Sequence, residues 1–362
     1  MESSLFIQWV NKYFKPIVAK VVEKVNGTKK EAVYLYKSML SVEYSPTLKW
    51  SSIEVNGSTV AADVVAMDSP LPLKMRDSIS KADGDIPKLG MKLYLGEKAL
   101  TDLEIIKNQP NQESQLVAKL FQDTGKVIAG VYEQLELMFL EALSSGVCLV
   151  SDSDRPGLGI RVDFDYKAEN KFNPTKVWSD TTSTPVTDIE TVIAAADVKG
   201  DTITTIMMDK FAFNNFKKNP QVQQMYASYK GIAVTTVSVL PIPTLSQVNE
   251  ALNDAYNVNI KIVDRTVNTE RNGVKKAVKP WQQGSVVFLT TENVGRMVWG
   301  SLAEMSHPAK QVTYETADSF ILVSKYHKID PLREYTSSQA LALPVIDGVD
   351  SIYLLDSKTA AA

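Results

Sequence analysis

Four aspartates near the middle of the chain are the residues best suited to acid–base chemistry. Asp152 and Asp154 enter a predicted turn at residues 154–157, and Asp163 and Asp165 follow it. Paired carboxylates can transfer protons or bind a hard cation. No histidine lies near them in the sequence. This favours the interpretation that the four aspartates occupy alternate strand positions and point into water. An α+β enzyme that uses the Asp152–Asp165 carboxylates is the alternative.

The remaining candidates for chemistry predict no site. Cys148 is the single cysteine and lies in an apolar stretch, where a thiol is usually inert. His307 and His327 are far apart, so a zinc site would need carboxylates for most of its ligands. Gly157-Leu158-Gly159 lacks the third glycine and the strand-to-helix context of a phosphate loop. The sequence therefore predicts no catalytic residue, no metal site and no cofactor.

The elements that would position these residues begin with an N-terminal helix. Apolar residues recur at four-residue spacing over residues 5–25, which predicts an amphipathic helix that Pro16 should kink or break. We expect this helix to pack on protein, with Trp9 and Phe14 as candidate contacts to another subunit. A helix lying on a membrane surface is the alternative.

Residues 52–106 predict a long two-stranded excursion with a polar middle. Such a segment cannot bury itself, and an isolated hairpin is marginal in water, so we expect it to lie on a neighbouring subunit. Its candidate contact residues are Lys74, Arg76, Asp77, Lys81, Asp83 and Asp85.

The strongest helical period follows, over residues 111–146, with Asn111 as the expected cap and Gly146 as the stop. About thirty residues of helix would span roughly 45 Å, which suggests a spine for other elements. A hairpin is predicted over 147–166. Capping boxes are predicted at Thr187 and at Thr244. Strands and helices without a βαβ rhythm indicate an α+β fold.

Composition limits the classes of partner. The 362 residues carry 39 basic and 42 acidic side chains, for a formal net charge of −3. This balance argues against tight nucleic-acid binding. Four lysines interrupt the apolar N-terminal stretch, and no run reaches the ~20 apolar residues of a membrane span. We therefore expect a soluble chain that is made in the cytoplasm.

From about residue 65 to residue 355 the chain resembles the lambda-type (protein E) major capsid family of tailed phages, whose members adopt the Hong Kong 97 capsid fold. The stretches that carry the resemblance occur in the family's order. They are Glu136-Leu137, Glu141-Ala142-Leu143, Gly146, Val162-Asp163-Phe164-Asp165-Tyr166, Trp178-Ser179-Asp180, Ile206-Met207-Met208, Phe216, Asn219-Pro220-Gln221-Val222, Asp264, Asn272-Gly273, Pro280, Gly284-Ser285-Val286-Val287, Gly300, Asp330-Pro331 and Leu343-Pro344-Val345. Thr290-Thr291 stand where the family often has a proline.

The resemblance implies an anatomy for the segments. It implies an N-terminal arm at 1–51, an extended β loop at 52–110 and an axial domain at 200–328. The peripheral domain would comprise 111–199 and 329–362, with the spine helix at 111–146.

The resemblance also implies a function: a structural protein, not an enzyme, that assembles as hexamers and pentamers into an icosahedral virion head. The head would enclose double-stranded DNA without sequence-specific binding and without a membrane. Implied partners are scaffold, portal and decoration proteins, and assembly would occur in the host bacterial cytoplasm. An encapsulin-like nanocompartment of the same fold is the competing interpretation.

Overall fold

The computed structural model of the protein describes residues 1–27, 34–53, 81–150, 160–232, 240–271 and 273–361. The helices are α1 (Ile7–Asn26), α2 (Leu35–Met39), α3 (Glu97–Lys107), α4 (Glu113–Leu120), α5 (Gln122–Ser145), α6 (Pro185–Lys199), α7 (Lys210–Lys218), α8 (Pro220–Tyr229), α9 (Leu245–Tyr256) and α10 (Ala303–Ser306). Short 3-10 helices lie at Ala168–Asn170 and Val349–Ser351.

The strands complete an α+β chain, as the sequence predicts. They are β1 (Leu40–Tyr44), β2 (Lys49–Ile53), β3 (Lys81–Asp85), β4 (Lys88–Leu95), β5 (Val147–Val150), β6 (Ile160–Asp163), β7 (Lys171–Phe172), β8 (Thr205–Asp209), β9 (Asn259–Val263), β10 (Val267–Arg271), β11 (Val274–Val278), β12 (Ser285–Leu289), β13 (Gly295–Gly300), β14 (Thr313–Ala317), β15 (Ile321–Lys328), β16 (Arg333–Ile346) and β17 (Ile352–Asp356).

The chain forms two compact units. Unit 1 contains the described residues of Met1–Trp50, Gly84–Phe139 and Arg296–Val345, and unit 2 contains those of Ser51–Asp83, Leu140–Gly295 and Ile346–Ala362.

Unit 1 contains one large sheet and the helices that pack on it. The strands follow the order β1-β13-β16-β15-β14, and β4 also pairs with β16. One face of the sheet packs on the long helix, where Ser338 donates to the Val127 carbonyl at 2.6 Å. The first residues are pinned to the same sheet, because the Glu334 carboxylate accepts hydrogen bonds from Ser4 and from the Leu5 amide.

Unit 2 contains a second sheet in the order β7-β17-β12-β8-β9. Every residue of its central strand β12 is buried, as expected for a strand covered on both faces. The apolar core joins this sheet to the surrounding helices and includes Trp178, Ile189, Phe216 and Phe288. The Trp178 indole also donates to the Asp188 carboxylate at 2.8 Å, so its one polar atom is satisfied.

Two local predictions are confirmed in unit 2. Thr244 and Gln247 form the predicted capping box at the start of α9. β5 and β6 pair antiparallel, as the predicted hairpin requires. The prediction at Thr187 is wrong, because α6 already begins at Pro185 after Thr184. A proline in the first helical turn needs no amide partner there and has its φ preset for helix.

The N-terminal helix continues through Pro16 instead of breaking there. Val10, Phe14 and Val18 are buried along one face, and Phe14 stacks on Phe121 with ring centroids 6.1 Å apart. This apolar burial offsets the hydrogen bond that a proline removes from a helix interior.

The predicted spine helix starts at Glu113 and is interrupted at Phe121, where φ is −109° and ψ is 9°. The buried Lys325 ammonium donates to the Leu120 carbonyl and to the Thr336 hydroxyl, each at 3.0 Å. A carbonyl at a helix end lacks an intrahelical hydrogen-bond donor. The donor for the Leu120 carbonyl is Lys325, which lies on a strand 205 residues later. That distance in sequence explains why the helical period alone predicted one continuous helix.

We expect the contribution of Lys325 to the free energy of unfolding to rise with pH between about 8 and 10. Burial lowers the pKa of Lys325 from 10.5 to about 8, although Glu334 and Asp123 act in the opposite direction. In this window the unfolded chain holds a proton that the folded chain has lost, so raising the pH favours folding. The contribution should be about 2 kcal/mol between pH 8 and 10.

Urea unfolding at several pH values, on wild type and on Lys325→Met, measures this contribution. The difference in the free energy of unfolding between wild type and Lys325→Met should grow by about 2 kcal/mol from pH 8 to 10. The same difference for Lys98→Met, at an exposed position of α3, should stay constant. An equal pH dependence in wild type and Lys325→Met would contradict the assignment.

Candidate assembly surfaces

The two described carboxylates of the central hairpin, Asp163 and Asp165, lie on the protein surface. Asp163 and Asp165 are exposed, while Val162 before them and Phe164 between them are buried. Asp163 pairs with Arg161 at 3.3 Å and accepts the amide hydrogen of Asp165 at 3.0 Å. Asp152 and Asp154 lie outside the described residues. The two described carboxylates are thus exposed to solvent, and Asp163 binds groups close to it in sequence.

The thiol and one of the two imidazoles are buried in the fold. Cys148 is fully buried, and burial raises the pKa of its thiol to about 12, so the nucleophilic thiolate is not formed at neutral pH. His327 is buried against the N-terminal segment, with its Nε2 atom 3.4 Å from the Glu2 carboxylate. His307 is exposed. Within the described residues, no three side chains that could bind a metal ion lie together.

Unit 2 carries a charged cleft of about 680 Å³. Asp264 lies in it between Lys279 at 3.0 Å and Lys210 at 3.4 Å, and their hydrogen bonds lower the pKa of its carboxyl. Glu141 lines the same cleft, where burial raises the pKa of its carboxyl while the Leu149 amide donates to it. Asp264 and the two lysines are thus paired with one another in the cleft.

The predicted contact residues of the extended segment are partly described. Lys74, Arg76 and Asp77 lie outside the described residues, and Lys81 is described only as part of the backbone of β3. A Cβ atom on Gly84 would lie 3.0 Å from the Trp50 indole nitrogen, so this face of β3 packs on Trp50. Asp83 and Asp85 alternate with Gly84 along the strand and are both exposed.

The two aromatic candidates of α1 differ in accessibility. Trp9 is half-buried and forms an edge contact with Phe6, with ring centroids 6.2 Å apart. Phe14 is 1% exposed because it packs on Phe121 inside unit 1. Trp9 therefore keeps surface that another subunit could contact, whereas Phe14 is covered by its own chain.

A cationic surface at one end of the unit 1 sheet was not predicted. Tyr326, Tyr335 and Tyr94 stand directly opposite one another on β15, β16 and β4. The Arg333 guanidinium lies 4.1 Å from the Tyr94 ring centroid, and Lys92 and Lys328 lie 5.7 and 5.8 Å from the Tyr335 ring. We call Lys92, Lys328, Arg333 and Tyr94 the basic patch.

The basic patch is accessible and has no acidic partner among the described residues. Lys92 and Lys328 are exposed, Tyr94 keeps 51% of its surface exposed and Arg333 is half-buried. Across the described ranges, no ion pair includes any of its three cations. Its residues come from positions that are about 240 apart in sequence, so only the pairing of β4 with β16 brings them together.

Comparison with known proteins agrees with this fold. The sequence profile of the family "phage major capsid protein E" matches residues 23–353. No curated protein matches the chain.

Two solved structures show the fold at low sequence identity. A protein assigned to the capsid of a prophage of E. coli CFT073 has a TM-score of 0.57 and 13% identity, covering 94% of this chain and 98% of its own. A phage-related protein from Bordetella bronchiseptica RB50 has a TM-score of 0.53 and 13% identity over the whole of both chains. The predicted Hong Kong 97-type capsid fold is thereby confirmed.

In the part of the chain that the structure describes, no helix is long and apolar enough to cross a bilayer. The family match extends over most of the sequence and includes the segments on which the resemblance was based. The chain belongs to the phage major capsid protein E family, and it is a structural protein of a bacteriophage capsid shell.

Proposed function

We propose that the chain assembles as hexamers and pentamers into a closed icosahedral head that encloses double-stranded DNA. The observation that carries the proposal is the family match over residues 23–353. The near balance of charge, 39 basic against 42 acidic side chains, supports a wall that faces DNA without gripping it. A shell of many copies can be held by individually modest contacts that repeat with symmetry.

The segments take distinct roles in this proposal. Residues 1–51 act as an N-terminal arm, and 52–110 act as an extended loop that overlaps a neighbouring subunit. Residues 111–199 and 329–362 form the peripheral domain around the spine helix at 111–146, and 200–328 form the axial domain. The separate pairing of β2 with β3 supports the loop role, since a two-stranded sheet is marginal by itself.

Contacts between subunits should involve the exposed groups at the arm and the loop. Trp9, Asp83 and Asp85 have the accessibility that this role requires. Lys74, Arg76, Asp77 and Lys81 remain candidates from their place in the sequence. Phe14 would take part only through its support of α1, because its ring is buried within its own chain.

Scaffold, portal and decoration proteins are the partners that we propose, with assembly in the host bacterial cytoplasm and no catalytic role. The exposed, locally paired Asp163 and the buried Cys148 support a non-enzymatic chain. The family match favours a phage head over an encapsulin-like compartment. DNA-filled heads, as opposed to cages loaded with cargo enzymes, would distinguish the two.

Electron microscopy of the purified chain, expressed alone and with its scaffold, tests the proposal. We expect closed shells, tubes, or free hexamers and pentamers, because the accessible groups of α1 and β3 offer surfaces for a neighbouring copy. Mass photometry on the same samples counts the copies in each species. A chain that stays monomeric in both preparations would contradict the proposal.

A further inference from the structure

We infer that the acidic strand β3 of one copy binds the basic patch of a second copy, through Asp83 and Asp85 against Lys92 and Arg333. This inference rests on the proposed assembly and names the two surfaces that meet. It makes the contact heterologous, since each copy offers one acidic and one basic surface. Heterologous contacts of this kind close into rings.

The acidic surface is a short row of exposed carboxylates on β3. Gly84 packs on Trp50, and the strand alternation then places Asp83 and Asp85 together on the opposite, exposed face. Neither aspartate takes part in an ion pair with the described residues. Two carboxylates at alternate positions of a strand present their charges about 7 Å apart, a spacing that a pair of cations can match.

The basic surface is organised to receive carboxylates. The ring of Tyr94 holds the Arg333 guanidinium at 4.1 Å from its centroid, and this stacking leaves the edge donors of the guanidinium open. A planar guanidinium binds a carboxylate through two parallel hydrogen bonds, and holding it in place lowers the entropy lost on binding. Lys92 is exposed two residues before Tyr94 and supplies the second positive charge.

Within unit 1 of one copy, Asp85 and Arg333 lie at opposite ends of β4. Asp85 precedes the first residue of β4. Arg333 lies just beyond the last one, because Glu334, the next residue along β16, is opposite Leu95. The eight residues of β4 alone span about 23 Å. A side-chain ion pair spans about 4 Å, so the Asp85 carboxylate can reach the Arg333 guanidinium only of another copy.

The charges favour a second copy of this chain over nucleic acid as the occupant. The basic patch offers three cations and one exposed aromatic ring, whereas proteins that track a nucleic-acid backbone use longer basic grooves with several stacking rings. The net charge of −3 also opposes binding to phosphate. The chain itself supplies an exposed acidic row whose charge is complementary to that of the basic patch.

Charge reversal on each side, alone and combined, tests the contact in the full chain. Asp83→Lys with Asp85→Lys should reduce the assembled fraction at least tenfold, and so should Lys92→Glu with Arg333→Glu. The chain that carries all four substitutions should recover assembly, because the attraction is restored with opposite sign. Lys119→Glu, a reversal at an exposed position of α4 outside the arm and the loop, is the matched control and should assemble like wild type.

Mixing the two double variants gives a second test. Both surfaces are basic in one double variant and acidic in the other, so only unlike neighbours attract each other. Two kinds of subunit can alternate around a ring of six but not around a ring of five. The mixture should therefore form hexamers but no pentamers, while each variant alone forms neither. Circular dichroism shows whether each variant folds. If a reversal unfolds the chain, Asp85→Asn and Arg333→Gln replace it, and their double-mutant cycle in assembly should show coupling.

The possible outcomes separate the two ideas. A wild-type chain that never assembles would contradict the proposed function itself. Wild-type assembly together with normal assembly of either double variant would overturn this inference alone. Normal assembly of the Lys92 and Arg333 variant with loss of nuclease-protected DNA would overturn it in favour of a nucleic-acid surface. A four-substitution chain that folds but does not recover would also overturn it.

Discussion

Glu136→Gln is expected to lower the free energy of unfolding by roughly 3 kcal/mol. Glu136 is 1% exposed, and its two carboxylate oxygens accept the amide hydrogens of Leu35 and Tyr36 at 3.0 and 3.1 Å. These amides open helix α2, whose N-cap Tyr34 provides no side-chain acceptor. A glutamine would turn an N–H donor toward one of the two amides and leave that amide unsatisfied in the protein interior.

Urea unfolding of the unassembled chain, followed by circular dichroism, measures the loss. Glu97→Gln is the matched control, because Glu97 is exposed in the first turn of α3 and should change stability by less than about 0.5 kcal/mol. Equal midpoints for the two variants would mean that the carboxylate does not hold α2 in place. We also expect Glu136→Gln to reduce shell yield, since α2 leads directly into strand β1.

Gly146→Ala is the second substitution with a large expected effect, again roughly 3 kcal/mol. Gly146 ends α5 in the left-handed region, with φ at 78°. A Cβ atom there would lie 2.9 Å from Cγ of Tyr166, a ring that is 3% exposed and cannot swing away. The cost therefore combines about 1 kcal/mol of backbone strain with about 2 kcal/mol of overpacking.

Gly200→Ala separates the two contributions. Gly200 ends α6 with φ at 83°, but a Cβ atom there would meet nothing within 4 Å. It should lose only the backbone part, about 1 kcal/mol. The difference between the two denaturation midpoints then measures the contact with Tyr166. Similar losses in both variants would show that the ring moves and that only backbone strain matters.

Local patterns predicted a substantial part of this structure. The capping box at Thr244, the glycine stop at Gly146 and the hairpin of β5 and β6 are each determined by residues that are near in sequence. Their geometry depends on backbone preferences and short hydrogen bonds, which few residues encode. The ordered stretches from Glu136 to Val345 likewise led to the family that the profile match shows.

Long-range contacts decided what those patterns missed. The predicted spine helix is interrupted at Phe121, where Lys325 binds the Leu120 carbonyl from a strand 205 residues later. The predicted break at Pro16 is absent, because burial of Phe14 against Phe121 offsets the lost hydrogen bond. In both cases a tertiary contact outweighs the local preference, and no pattern within a few residues contains that contact.

The candidate site shows the same division. The sequence by itself determined that this is a capsid protein, and that no residue pattern in it predicts a catalytic centre. It also placed Asp83 and Asp85 among the candidate contacts. Only the tertiary structure showed that these two acids share an exposed face and that Arg333 stacks on Tyr94. The physical reason is that a surface between subunits is assembled from residues distant in the chain, and strand pairing sets their spacing.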